Sequence, residues 1–115
     1  MTRRVEKPWG YEEIWAETDR YVGKILYINA GSRLSLQHHI SKDETIRVLS
    51  GKMTLELEDE NGFIKVNIME SGMSSRILPG KKHRMTAETD VELVEVSTPE
   101  LDDVVRHEDD YGRSD

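Results

Sequence analysis

The chain has 115 residues, of which 36% are apolar and 34% charged, with a formal net charge of −7 and no cysteine. That length predicts one domain, 1–115, and the missing cysteines exclude both a disulfide framework and a thiolate metal site. Seven acids and two arginines fall in the segment 99–115, a net of −5, which leaves −2 for the rest; an acidic chain without a basic stripe is a poor nucleic-acid binder.

No window approaches a membrane span, and Met1-Thr2-Arg3-Arg4-Val5-Glu6-Lys7 lacks the apolar run of a signal peptide. A cytoplasmic protein with neither a membrane nor a nucleic-acid partner is therefore expected. Residues 1–10 form an N-terminal arm, after which runs of alternating or β-branched character predict strands at 11–15, 21–29, 33–39, 45–50, 52–58, 63–69, 74–78, 83–87 and 91–97. Ala30-Gly31, Ser50-Gly51, Asn61-Gly62, Ser71-Gly72 and Pro79-Gly80 fall between these runs, at the spacing of a sandwich or barrel. Residues 101–106 have the pattern of a short helix, and 99–115 form an acidic tail. Trp9, Tyr11 and Trp15 make an aromatic cluster suited to core packing, with Trp9 also placed to anchor an exchanged edge strand in a dimer. Met53, Met69, Met73 and Met85 are core or rim filler.

The chemistry-bearing residues have a definite spacing. Gly31 is followed after five residues by Gln37, after one more by His39, after four by Glu44, and after six by Gly51. If 33–39 is a strand, Arg33, Ser35, Gln37 and His39 share one face, while Leu34, Leu36 and His38 share the other. A second block runs from Gly72 through five residues to Leu78-Pro79-Gly80, two lysines and His83-Arg84. Gln37, His39, Glu44 and His83 then offer oxygen and imidazole donors with one formal negative charge. One divalent metal ion bound there keeps net positive charge and can act as a Lewis acid. Zinc, iron, manganese, cobalt and nickel all suit these donors. The competing reading makes the two histidines buried polar residues and the glutamate a strand-edge acid; four residues at this spacing favour the metal.

Two glycine-bounded blocks of this form, separated by 52–71, resemble the paired motifs of the cupin superfamily, which implies a small antiparallel β-barrel. Gln37 stands where most cupins carry a first histidine. This Gln-x-His pair, Leu34-Ser35-Leu36-Gln37, Lys7-Pro8-Trp9-Gly10, His83-Arg84 and the closing Val105-Arg106-His107-Glu108-Asp109-Asp110-Tyr111-Gly112-Arg113 resemble type II phosphomannose isomerases. The sequence departs from that family at His39-Ile40-Ser41, where three histidines are usual, at Glu44-Thr45, where a Glu-His pair is usual, at Pro79, one place late, and at Ala87, in an asparagine position. Nothing resembling the Gly-rich nucleotide loop of the bifunctional relatives occurs, so guanylyltransferase activity is expected to be absent.

The resemblance implies a metal-dependent aldose–ketose isomerase acting on a sugar phosphate, mannose 6-phosphate to fructose 6-phosphate. The alternatives are a non-catalytic sugar or nucleotide-sugar binding cupin and a two-histidine, one-carboxylate iron dioxygenase. Lys42 and Glu44 are the candidate catalytic pair. A nearby cation would lower the Lys42 pKa and fit it as proton carrier or oxyanion partner; a solvated loop lysine is the other reading. Arg33, Ser35, Lys24 and Arg113 are the candidate sugar-phosphate ligands, with Arg33 and Ser35 as inward neighbours of Gln37. Arg106, Tyr111 and Arg113 either cover the barrel mouth or pack outside it. His38 should face outward, and Arg84 should point away from the site unless its strand is bulged. Small size and fold-level analogy favour a homodimer.

Overall fold

The computed structural model describes residues 2–113; Met1, at the tip of the arm, and 114–115, at the end of the tail, lie outside the described residues. In chain order the strands are β1 Arg3–Lys7, β2 Gly10–Glu17, β3 Val22–Ile28, β4 Leu36–His38, β5 Glu44–Ser50, β6 Lys52–Glu58, β7 Ile64–Glu70, β8 Ser74–Ile77, β9 His83–Ala87, β10 Val91–Ser97 and β11 Val105–Glu108. They form a six-stranded sheet, β1-β2-β3-β10-β5-β8, and a five-stranded sheet, β11-β4-β9-β6-β7. Every pairing is antiparallel, and no described residue is helical.

Alternation builds the interior. Leu26 and Ile28 of β3, Ile46 and Val48 of β5, and Val91 and Leu93 of β10 face inward from the first sheet. Met53 and Leu55 of β6 with Met85 and Ala87 of β9 meet them from the second. Burying each large side chain contributes about 1.5–3 kcal/mol. Register keeps those residues level: Leu93 lies across from Leu26 on one side and Val48 on the other. The Ser50-Gly51 turn requires its glycine, since φ is +89° and an added Cβ would lie 2.1 Å from the Asp90 carbonyl oxygen.

The predicted strands are all present, with ends shifted by a few residues, and three readings need correction. The arm adds one more strand, since 3–7 is an edge strand. Its charges hid it, and they suit an edge, with Arg3 paired to Glu17 and Arg4 stacked 3.6 Å from the centre of the Tyr11 ring. The strand read over 33–39 is regular only at Leu36–His38; Arg33 makes a lone bridge to Thr86. Residues 101–106 do not form a helix. They turn into β11, which completes the second sheet by pairing with β4. The aromatic trio is divided as well: Trp9 is in the core, Tyr11 stacks on Tyr27, and Trp15 is 45% exposed with its indole lying over Gly23.

Met53, Met69 and Met85 are buried and Met73 is exposed. No described helix is long and apolar enough to cross a membrane.

Candidate metal centre

At one end of the interior the inward positions change from apolar to polar. Lys24 follows Val22 on β3, Glu95 and Ser97 follow Leu93 on β10, Glu44 begins β5 and His83 begins β9, and all are buried. His39 lies just beyond β4, its carbonyl accepting from the Gly80 N–H at 2.7 Å, so the Pro-Gly turn of the second block holds the histidine of the first. β4 sets Gln37 directly opposite His83.

His39, Glu44 and His83 present donor atoms within 4.8 Å of one another. His39 Nε2 is 3.4 Å from Glu44 Oε2, and His83 Nε2 is 3.8 Å from Glu44 Oε1. Each imidazole is oriented from behind. His39 Nδ1 is 2.6 Å from the Asp103 carbonyl oxygen and His83 Nδ1 is 2.9 Å from the Lys81 carbonyl oxygen. A carbonyl only accepts, so both Nδ1 atoms carry a proton and both Nε2 atoms face Glu44. Neither buried Nε2 has a hydrogen-bond partner among the described residues. Two buried, partnerless Nε2 atoms beside a carboxylate are costly alone and fit a metal ion with ligand bonds of about 2.0–2.2 Å. Gln37 lines the same cavity, with its Oε1 accepting from Ser35 Oγ at 2.6 Å.

The electrostatics agree. Burial pushes the His83 pKa down, more than Glu44 pulls it up, and keeps the ring neutral. Burial would raise the Glu44 pKa, but His39, Lys42 and His83 outweigh it and hold the carboxyl well below its usual range. At His83 and Glu44 the site therefore offers a neutral imidazole and an ionised carboxylate, the protonation states a metal requires.

Lys42 lies between two carboxylates, its Nζ 2.9 Å from Glu44 and 3.4 Å from Glu95. Burial lowers its pKa, but with no ion at the centre the two carboxylates more than reverse that and raise it. It is not a solvated loop lysine, being 5% exposed.

Glu12 and Glu95 were not singled out from the sequence. Glu12 pairs with Lys24 at 3.3 Å. Glu95, whose pKa burial raises with help from Glu44 and against Lys42 and Lys24, lines the cavity beside Lys42. The available signal was a charged residue inside an otherwise apolar inward register, Val91-Leu93-Glu95. Asp103 was also missed: its carboxylate accepts from the N–H groups of Ile40, Ser41 and Lys42 at 2.7–2.9 Å.

Of the candidate substrate ligands, the cavity brings together Lys24, Ser35 and Arg113. Arg33 is elsewhere. Because the strand is not regular there, its guanidinium turns outward and forms a two-pronged bond with Asp110 at 2.6 and 2.8 Å. Arg113 is itself braced by Asp109. Leu101, Val104, Arg106 and Arg113 line the cavity, so the tail covers the mouth, with Tyr111 tied by its hydroxyl to the Arg33 carbonyl. His38 faces outward and stacks on His107. Arg84 points away from the centre, toward the Leu34 and Glu108 carbonyls.

An antiparallel two-sheet barrel with a His-His-Glu centre inside one end is a cupin. The model of the mannose-6-phosphate isomerase C-terminal family matches residues 1–109, and the chain belongs to that family. It is 32% identical to the xanthan biosynthesis protein XanB of Xanthomonas campestris over 97% of this chain and 24% of that one. It is equally similar to the mannose-1-phosphate guanylyltransferase ManC of Salmonella typhimurium, over 98% and 24%. The chain thus spans about a quarter of the length of these relatives. Among solved structures, oxalate decarboxylase from Bacillus subtilis superposes with a TM-score of 0.81 at 16% identity, over 91% of this chain and 30% of that one. KdgF from Halomonas sp. gives 0.76 at 19% identity, over 87% and 90%.

Proposed function

We propose that the protein is a metal-dependent sugar-phosphate isomerase that interconverts mannose 6-phosphate and fructose 6-phosphate. The family supports the substrate, and the observation that carries the chemistry is the pair of partnerless Nε2 atoms facing Glu44. His39, Glu44 and His83, with Gln37 alongside, would hold the ion. Once bound it supplies Lewis acidity to the carbonyl and adjacent hydroxyl oxygens of the open-chain sugar.

The remaining steps belong to side chains. Lys42, paired with Glu95 and Glu44, stabilises negative charge on a substrate oxygen in this reading. Glu95 is the cavity carboxyl outside the donor set whose pKa is raised toward the range a proton carrier needs. In this reading it takes the proton from C2 of the aldose and returns it to C1, while the O2 proton passes to O1. No oxidant is consumed. The cavity measures about 90 Å³, below the roughly 300–1,000 Å³ of small-molecule pockets, and in this reading the tail at its mouth moves outward to admit a hexose phosphate.

The test is carbon NMR of labelled mannose 6-phosphate with protein reconstituted separately with zinc, manganese, cobalt, nickel or ferrous iron. Growth of fructose 6-phosphate signals is expected with at least one ion. Metal binding without conversion by any of them would remove the isomerase. Oxygen consumption with ferrous iron would then select the dioxygenase, which the His39-Glu44-His83 face also fits; sugar binding alone would select a binding module.

A further inference from the structure

The Lys7-Pro8-Trp9-Gly10 motif has no part in the chemistry above, yet two of its residues, Lys7 and Trp9, line the metal-centre cavity. Five cations line that cavity: Lys7, Lys24, Lys42, Arg106 and Arg113. Lys24 is matched by Glu12, Lys42 by Glu44 and Glu95, and Arg113 by Asp109. Arg106 belongs to β11, in the segment that covers the mouth. Lys7 is half-buried and its side chain has neither a hydrogen bond nor an ion pair among the described residues.

The hairpin is built to keep that ammonium in place. β1 ends at Lys7 and β2 begins at Gly10, its cross-strand partner, so Pro8 and Trp9 form the turn. Trp9 is 3% exposed in the core, and its carbonyl accepts from the Asn29 N–H at 2.9 Å. Gly10 has φ +152°, and an added Cβ would lie 1.9 Å from the Tyr27 carbonyl oxygen. A buried indole and a backbone contact that only glycine permits thus fix the turn to β3. A half-buried cation with no carboxylate, on a rigid support at a cavity wall, is set to receive an anion from outside the protein. Unlike Arg106 and Arg113, it lies outside the tail.

We propose that Lys7 binds the anionic group of the ligand, a phosphate ester, which makes the arm hairpin part of the active site. This rests on the sugar-phosphate reading above, and binding measured apart from turnover separates the two.

The experiment is calorimetric titration of the metal-loaded protein with mannose 6-phosphate, mannose and inorganic phosphate, in wild type, Lys7→Met and Lys7→Arg. Lys7→Met is expected to weaken the ester and inorganic phosphate by about tenfold or more, as loss of a charged hydrogen bond implies. It should leave mannose unchanged, and Lys7→Arg should restore most of the loss. Unchanged ester affinity in Lys7→Met overturns the proposal, as does an equal loss for neutral mannose, which would mark a structural effect. Lys7-dependent binding without conversion upholds Lys7 and removes the isomerase; conversion with an unaltered KM in Lys7→Met does the reverse.

Discussion

The two ends of the barrel are made by the same strands and obey opposite rules. At one end Ile28, Val48, Leu55, Leu93 and Ala87 interlock with nothing to hydrogen-bond. A step or two along β3, β5, β9 and β10 the inward positions are Lys24, Glu44, His83 and Glu95, just as buried. Hydrophobic burial stabilises the first end, whereas each ion at the second costs several kcal/mol to desolvate before its partners repay it. The fold is thus held from one end, and the strands extend that rigidity to groups that would not stay together on their own.

The sharpest way to break this contrast is to remove one donor. His83→Ala should abolish isomerase activity and lower metal affinity by more than the roughly 10–100-fold that loss of a mere orienting partner costs. In urea unfolding of the metal-free protein it should cost less than Leu93→Ala, since it also removes an unpartnered buried nitrogen. Leu93→Ala should lose about 2–5 kcal/mol while binding metal with wild-type stoichiometry below its transition. A His83→Ala protein as unstable as Leu93→Ala would mean that the two ends are one energetic unit.

Within the polar end, Glu95→Gln separates proton carriage from metal holding. It should lower kcat by about 10²–10⁴-fold, with metal content unchanged and less solvent deuterium appearing in the product. A kcat within a few-fold of wild type would instead favour a hydride shift between C1 and C2.

Asp103 joins the tail to the site. Asp103→Ala should lower metal affinity about 10–100-fold by freeing the loop that carries His39, as read by competition with a chelating dye. The same carboxylate brings pH dependence. Burial would raise its pKa, but the N–H groups of Ile40, Ser41 and Lys42 win and lower it below 3.8. A depressed carboxyl stabilises the fold above its unfolded value and ceases to do so as pH falls through its folded one. Metal-free protein should therefore lose hydrogen-exchange protection in β11 on acidification below about pH 4, the ordinary carboxylate value, with β10 still protected. In Asp103→Ala that acid step should shrink.

The sequence made some of this visible and hid the rest for identifiable reasons. Gln37, His39, Glu44 and His83 were legible because glycine-bounded turns fix where each strand starts, and spacing then fixes facing. Strands such as β6, β9 and β10 were legible from alternation alone. Asp103 was not, because its partners lie more than sixty residues away and no periodicity encodes a loop reaching across a barrel mouth. Residues 101–106 looked helical because Leu101, Val104 and Val105 have helical spacing, and the pairing of β11 with β4 is a tertiary fact. The second carboxylate on Lys42, Glu95, was hidden because it is on a distant strand.

Arg33 gives the smallest effect and the finest test of where the polar end stops. A regular strand over 33–39 would aim it inward with Gln37, but the irregular backbone before Leu36 turns it to Asp110 on the surface. Both side chains of that pair are more than 40% exposed, so Arg33→Ala should cost less than about 1 kcal/mol of stability. It should leave the KM for mannose 6-phosphate within twofold of wild type, whereas Lys7→Met should not. A KM effect in Arg33→Ala as large as that of Lys7→Met would mean that Arg33 reaches the substrate, and that the boundary between binding surface and outer wall lies one strand further out than the geometry places it.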